Sequence, residues 1–489
     1  MPISFNLIPA ALRIPGVYIE FDNSLANNAL PNFKLLVMGQ RLSTGTVAEG
    51  VPTQVTSGEQ AETFFGRGSM LAEQIKAIKE AQQFFDVWAI ALDENGAGAE
   101  ASGTITFTGP STEAGTLNIY IAGKRVQVAV ASGDADTVIA AAANAAINLD
   151  TSLPVTATVL LGVVTLTSKW KGETGNDIDV RMNYYDEETP AGVGVAIVAQ
   201  SGGTANPDVS TAIAAMADEW YNWMVMPFTD AANLVLLETE LDDRFGPMRQ
   251  IGCRAFAAHR GNHASAVTLG DSRNNPHVTI MGTNVAPQPP YIWASVNAVT
   301  GAFNLANDPA RPLQTLKLIG IMAPEKSIRW TDNERNLLLY DGIATYKVAS
   351  DGSVMIERQA TTYQVNSSDL PDDSYLDIQV PETLERIRFR QRQLFSQKFP
   401  RHKLAEDDAR FGAGQAMMQP KIARAELIAL YFTMEQDGWV QDAEGYKDSI
   451  IAEIGDGNGS GDRNRLNIQD SPKLVGQYRV HGQKTQFRK

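Results

Sequence analysis

The sequence predicts a multidomain α/β protein: an open α/β sheet core split by a β-rich insertion domain, then an α+β C-terminal domain, with extended strand arms at the termini. Three observations point there. Apolar runs of strand length alternate with apolar residues at helical spacing, first before residue 95 and again after 206. The stretch between, 96–205, is rich in Thr, Val, Gly and Ala and carries period-two runs. Both ends of the chain also alternate with period two, and neither has a tight turn and matching strand beside it. The length, 489 residues, suits roughly three domains of about 150 residues each.

At the N-terminus, Pro15-Gly16 precedes Val17, Tyr18, Ile19, Glu20 and Phe21, with Val17, Ile19 and Phe21 on one face. At the C-terminus, Leu474 to His481 alternates similarly, through Val475, Tyr478, Arg479 and Val480. An isolated strand is unstable in water, because it buries little and its backbone groups gain nothing over solvent. These ends therefore either fold back onto their own domain or complete the sheet of a neighbouring molecule.

The core is expected over 31–95 and 206–344. Residues 35–40 form a short buried strand; Leu71, Ile75, Ile78 and Phe85 recur at helical spacing; 87–92 is a second buried strand. After 206 the alternation resumes: a helix near 209–219, a strand at 223–227, a helix over 230–245, strands at 251–258 and 277–281, and a helix near 291–303. In the insertion, strands are expected at 103–108, 117–130 and 155–168, with hairpin tips at Gly123-Lys124 and Leu161-Gly162 and one Ala-rich helix near 136–148. The insertion has few titratable residues suited to catalysis and no evident aromatic cluster, so it reads as a structural decoration. The C-terminal domain, 345–470, should open with a hairpin turning at Asp351-Gly352. Helices follow at about 381–399 and 420–436, and the Gly-rich Gly455–Gly461 separates them from a terminal arm at 471–489.

Composition excludes several function classes. A net charge of −15 argues against bulk nucleic-acid binding, which needs a basic field. No uninterrupted apolar stretch approaches the roughly 18 residues of a membrane span. The start lacks the basic lead of a secretion signal, Arg13 following a mildly apolar opening. A single cysteine, Cys253, precludes an intrachain disulfide framework and points to a reducing compartment.

Against this acidic background, residues 383–403 carry seven Lys or Arg and one Glu. Leu384, Ile387, Leu394 and Phe395 form an inward stripe, with Arg386 and Arg390 on one flank and Arg388 and Arg392 on the other. Two readings stand: a solvated face with intramolecular ion pairs, or a docking face for an acidic partner. Nucleic acid fits poorly, since interleaved stacking aromatics are missing.

Catalytic patterns are weak. His259 and His263 have i, i+4 spacing, but Gly261 lies between them and the zincin Glu is missing. Asp456 to Asp462 imitates half a calcium loop, with Asn467 where the bidentate Glu should stand. There is no Gly-x-Ser-x-Gly turn, and Gly412-Ala413-Gly414 leads to Gln415 rather than a phosphate-loop Lys. No enzyme and no cofactor are expected.

Nearly end to end, the chain resembles the contractile tail sheath proteins of Mu-like myophages. The resemblance rests on IPAALRIPGVYIEFDNSLANNALPN at 8–32, KGETGNDIDVRMNYY at 171–185 and GDRNRLNIQDSPKLVGQYRVHGQKTQF at 461–487. The C-terminal arm departs from the family in being polar at Arg479, His481, Gln483 and Lys484. The resemblance implies subunits in stacked six-fold rings around an inner tail tube, metastable when extended and contracting on a baseplate signal to drive the tube through a host envelope. It also implies that arms at about 14–22 and 473–487 add strands to neighbouring subunits, with 22–30 as a leash. Implied partners are other copies of the chain, the tube protein, the baseplate and the tail terminator, with no nucleic acid and no membrane insertion; the place is a virion tail, assembled in the host cytoplasm. A headless contractile injector would use the same logic. The tube contact must break during contraction, and exposed ion pairs are worth only about 0.2–1 kcal/mol each. Arg386, Arg388, Arg390, Arg392, Lys398, Arg401 and Lys403 are therefore expected to include the tube-facing residues.

Overall fold

The computed structural model describes residues 33–412, 414–455 and 462–488. The expected N-terminal strand Val17, Tyr18, Ile19, Glu20, Phe21 and the leash at 22–30 lie outside the described residues, as does the calcium-loop look-alike short of Asp462.

The core opens with β1 (Leu35–Gln40), β2 (Thr53–Val55), α1 (Gly58–Phe65), α2 (Met70–Ala81) and β3 (Val87–Leu92). Both helices start on serines, Ser57 accepting from Gln60 N–H and Ser69 from Ala72 N–H, which satisfies one orphan donor each. The insertion contributes β4 (Glu100–Thr108), β5 (Gly115–Ile121), β6 (Lys124–Val130), α3 (Asp136–Leu149), β7 (Val155–Leu160), β8 (Val163–Lys171), β9 (Val180–Met182) and β10 (Gly194–Ser201). The core then resumes with α4 (Ser210–Met216), β11 (Trp223–Val225), α5 (Ala231–Phe245), β12 (Arg254–Arg260), α6 (His263–Asp271), β13 (Val278–Asn284), α7 (Pro290–Asn307), α8 (Asp332–Tyr340), β14 (Ile343–Val348) and β15 (Val354–Arg358).

One eight-stranded sheet, ordered β15-β14-β13-β12-β11-β1-β3-β2, organises the core. From β14 to β3 every pairing is parallel; β2 and β15 close the edges antiparallel. All residues of β1, β11 and β13 are buried, as a parallel sheet covered on both faces demands. The expected boundary at residue 344 is corrected here. Ile280 pairs with Ile343 and Met281 with Ala344, so the hairpin belongs to the core sheet rather than to the C-terminal domain. Its turn at Asp351-Gly352 is as expected, Gly352 taking a φ of 82° and Asp351 accepting from Ser353 N–H.

The insertion holds an antiparallel sheet ordered β10-β4-β8-β7 and a second ordered β6-β5-β9. α3 packs against strands of both, burying Ile139, Ala140, Ala143 and Ile147. The β7–β8 tip is Leu161-Gly162, while the β5–β6 tip falls one residue earlier than expected, at Ala122-Gly123. The insertion does have an aromatic cluster. Pairing of Tyr120 with Arg181 across β5 and β9 gathers Tyr120, Tyr184 and Tyr185, with ring centroids 4.8–6.0 Å apart. The insertion is seated on the core by Gln40 donating to Lys171 O (2.6 Å), Arg260 to Asp179 (2.6 Å), Tyr184 to Ala323 O (2.8 Å), and Trp170 meeting Tyr291 edge-on.

The C-terminal region comprises α9 (Gln379–Lys398), β16 (Lys403–Leu404), β17 (Met417–Met418), α10 (Pro420–Gln436), β18 (Val440–Gln441), α11 (Ala443–Ser449), β19 (Ile451–Ile454), β20 (Leu466–Gln469) and β21 (Lys473–Leu474). Its core is Ile387, Leu427, Tyr431, Met434, Trp439, Val440, Ala443, Tyr446 and Ile450, with Leu394 and Phe395 packed against it. The Tyr431 and Tyr446 rings stack with centroids 3.8 Å apart.

Of the terminal strand expected over 474–481, this chain on its own pairs only the first residue. Only Lys473–Leu474 forms a ladder, antiparallel with Val440–Gln441, and 475–488 has no strand pairing among the described residues. Ladder bonds need a second strand, and none lies beside these residues in the described part of the chain.

Candidate assembly surface

The basic helix α9 divides along its length. Its first half is buried, including Glu382, Glu385, Arg386 and Ile387. Arg386 donates to Leu305 O (3.2 Å) and Ala306 O (3.4 Å) at the end of α7, and lies over the Trp439 ring. Burial lowers its pKa, the nearby Glu382 carboxylate opposing that shift. Arg388 donates to Phe245 O (2.6 Å) and pairs with Glu385, its guanidinium 4.4 Å from the Phe245 ring centroid. Arg390 pairs with Asp437 (2.7 Å) and sits 4.2 Å above Trp439. Arg392 reaches Gln250 O (3.3 Å) over Trp220.

These positions correct the expectation for Arg386, Arg388 and Arg390. The two flanks are where helical spacing puts them, but each lands on an aromatic ring and a carbonyl or carboxylate of its own chain. A guanidinium held in this way cannot be offered to a partner without breaking a charge-assisted hydrogen bond and a cation–π contact. Arg392 is exposed yet bonded. Past Arg392 the picture changes. Lys398 is exposed and pairs with Glu426 (2.6 Å), Lys403 reaches only Gln415 (3.2 Å), and Arg401 is exposed with no ion pair among the described residues. Of the seven cations, Lys398, Arg401 and Lys403 follow one another, all exposed, from the far end of α9 into β16.

At the C-terminal arm, Val475 N–H donates to Trp439 O (3.1 Å), continuing the β18–β21 pairing by one residue. Gln314 donates to Tyr478 O (3.3 Å). Arg479 enters a groove of about 460 Å³ lined in part by Ala310, Arg358, Asp377, Trp439 and Leu474, and pairs with Asp377 at 3.0 Å. Tyr478 (72%), Val480 (85%) and Phe487 (83%) remain exposed. Sequence reasoning missed Trp220, Phe245, Trp439 and Asp377 as the partners of these cations. No local signal marks them, because three of the four lie far along the chain from α9.

The histidine pair is structural. His259 Nε2 meets Ser265 Oγ (3.0 Å) and His263 Nε2 meets Glu334 O (3.0 Å), and burial lowers the pKa of His259. Burial pushes the Cys253 thiol up to about 12, leaving it unreactive. Among the described residues no group of His, Cys, Asp and Glu is arranged to hold a metal, and no helix is long and apolar enough to cross a membrane.

Residues 202–362 match the phage tail sheath protein central domain, and residues 371–481 the phage tail sheath C-terminal domain. The gap between the two matches agrees with a core that runs through β15. The Mu-like prophage FluMu tail sheath protein of Haemophilus influenzae is 42% identical over 490 residues, covering 100% of both chains. Among solved structures, the sheath tail protein of Desulfitobacterium hafniense superposes with a TM-score of 0.50 at 14% identity, covering 95% of this chain and 97% of that one. That of Listeria innocua gives a TM-score of 0.47 at 10% identity, with 90% and 95% covered. Matched by both sheath-domain models and by a tail sheath protein along its whole length, this chain belongs to the phage tail sheath family.

Proposed function

We propose that the chain is the subunit of a contractile tail sheath, polymerising as six-fold rings stacked around an inner tube. The sheath is metastable when extended and shortens on a baseplate signal to push the tube through a host envelope. The observation that carries this is the end-to-end identity with a tail sheath protein, arms included. The exposed Tyr478, Val480 and Phe487 on an unpaired terminal segment are consistent with strand addition to a neighbour. Electron microscopy of the purified full-length protein tests the reading: hollow cylinders are expected, and monodisperse monomers at every concentration would sink it. Deleting residues 1–22 should leave a folded soluble subunit that no longer polymerises, as read by sedimentation.

The tube contact is proposed for Lys398, Arg401 and Lys403 rather than for the whole of α9. Exposed cations can hold many times over and release in turn, since each pair is weak. Arg401→Glu with Lys403→Glu should lower co-assembly on an acidic tube several-fold while the subunit's melting temperature stays put. Unchanged co-assembly would remove this surface from consideration.

A further inference from the structure

We propose that an ionic pin, Arg358–Asp377–Arg479, fastens the root of the C-terminal arm to its own subunit, so that only residues from 480 onward are left to reach a neighbour. This rests on the sheath reading for its purpose, though not for its geometry.

The pin is built from three elements. Arg358 ends β15 and donates to both Asp377 oxygens, Nε to Oδ1 and Nη2 to Oδ2, each at 2.9 Å. Asp377 directly precedes the turn into α9. Arg479 Nη2 approaches Asp377 Oδ1 at 3.0 Å and also donates to Gln379 Oε1 (3.3 Å) and to Gln477. The Arg479 side chain is only 10% exposed, between two neighbours that are largely exposed. One side chain of the segment is swallowed while those on either side are left in water. That is the pattern of a fastening, not of a strand lying on a face.

The segment leading to the pin is held as well. β21 pairs with β18, Val475 bonds Trp439, Gln441 donates to Leu474 O (3.0 Å), and Gln314 reaches Tyr478 O. From 473 to 479 the chain is therefore tied at nearly every second residue to β18, to Gln314 or to Asp377. Past 479, where Val480 still borders the groove, the side-chain hydrogen bonds among the described residues stay within the tail, such as His481 with Tyr478 and Gln483. About ten residues remain from 480 to the end, with a reach of roughly 30–35 Å if extended. Two arginines share one carboxylate, so neutralising Asp377 leaves like charges facing each other in a half-enclosed groove, and Arg479, with no strand pairing at its own position, is the one that yields.

Limited trypsin digestion with mass spectrometry tests this on the unassembled full-length subunit. Cleavage after Arg479 requires its side chain to enter the protease, which the pin prevents, whereas Lys484 is exposed. The expected result is cutting at Lys484 at least tenfold faster than at Arg479, with Asp377→Asn raising the Arg479 rate at least tenfold and Asp377→Glu leaving it slow. Equal rates at both sites in the unmodified protein would overturn the pin without recourse to any variant. A chain stopped after Arg479 should keep its melting temperature and fail to form cylinders under conditions where the full chain does. If it polymerises normally, 480–489 is not the linking piece. If the full chain itself forms no cylinders, the sheath reading fails while the digestion still decides the pin.

Discussion

Buried charge at single residues decides where this fold can tolerate change. Arg254 is fully buried on β12 and donates to Pro381 O (2.6 Å) and Cys253 O (3.0 Å), with Glu382 at 3.9 Å, so it binds the sheet to the start of α9. Burial raises the pKa of Glu382, opposed first by Arg254. Removing one member of such a pair strands the other, so Arg254→Ala should cost about 3–5 kcal/mol in chemical denaturation. Asp177, at the seam between insertion and core, is raised to about 7 by burial, with Arg260 opposing. The folded state then keeps a proton that the unfolded state has lost above about pH 4. Its contribution is fully present below that pH and is lost as pH rises towards 7, at up to about 1.4 kcal/mol per pH unit. Asp177→Asn should flatten that slope, giving a variant more stable than the parent at pH 8 and no more stable at pH 4. Gly270 is a packing case: a Cβ there would collide with the backbone oxygen of Asp341. Backbone cannot swing aside, so Gly270→Ala should cost about 1–3 kcal/mol in the same assay.

At the scale of elements, α9 shows what a sequence can and cannot reveal. Helical spacing correctly separates its arginines into two flanks, because 3.6 residues per turn is a local property. What each flank meets is not local. Trp220 comes from the segment before β11, Phe245 from the end of α5 and Trp439 from the turn before β18, so intramolecular and intermolecular readings look alike until the chain is folded. Charge reversal separates the arginines held by the chain itself from the exposed cations beyond them. Arg388→Glu or Arg390→Glu should lower the melting temperature by several degrees, since each faces an aromatic ring and either a carbonyl or a carboxylate of the same chain. If both variants melt like the parent, these contacts are not structural and the wider docking face returns. The same limit explains the other departures. The buried strands β1, β3, β11 and β13 were legible as apolar runs, and the hairpin turn at Gly352 from its Asp-Gly pair. The membership of β14 in the core sheet was not, because parallel pairing with β13 leaves no mark on the intervening sequence. Nor could alternation over 474–481 say which chain would supply a partner.

The whole molecule divides energetically along a line that its connectivity hides. The insertion interrupts the core in sequence, yet one continuous apolar cluster runs through both, joining Met70, Ile121, Leu153, Trp170 and Tyr291 with Leu36 and Ile90 of the sheet. The C-terminal region, by contrast, continues the chain without interruption but packs around its own cluster of Leu427, Tyr431, Trp439 and Tyr446. Cooperative units follow shared burial, since removing one side of a cluster exposes the other to water. Calorimetry of the unassembled subunit should therefore resolve two transitions, and the insertion should not have one of its own. Trp170→Ala, which empties a fully buried site on the insertion, should shift the larger transition and leave the smaller in place; Trp439→Ala should do the reverse. If Trp170→Ala instead splits off a third transition, the insertion is an independent unit resting on the core. In the contracting sheath proposed above, a core and insertion that share one cluster would turn as one body, and the separately packed C-terminal region beside the arm would take up the change.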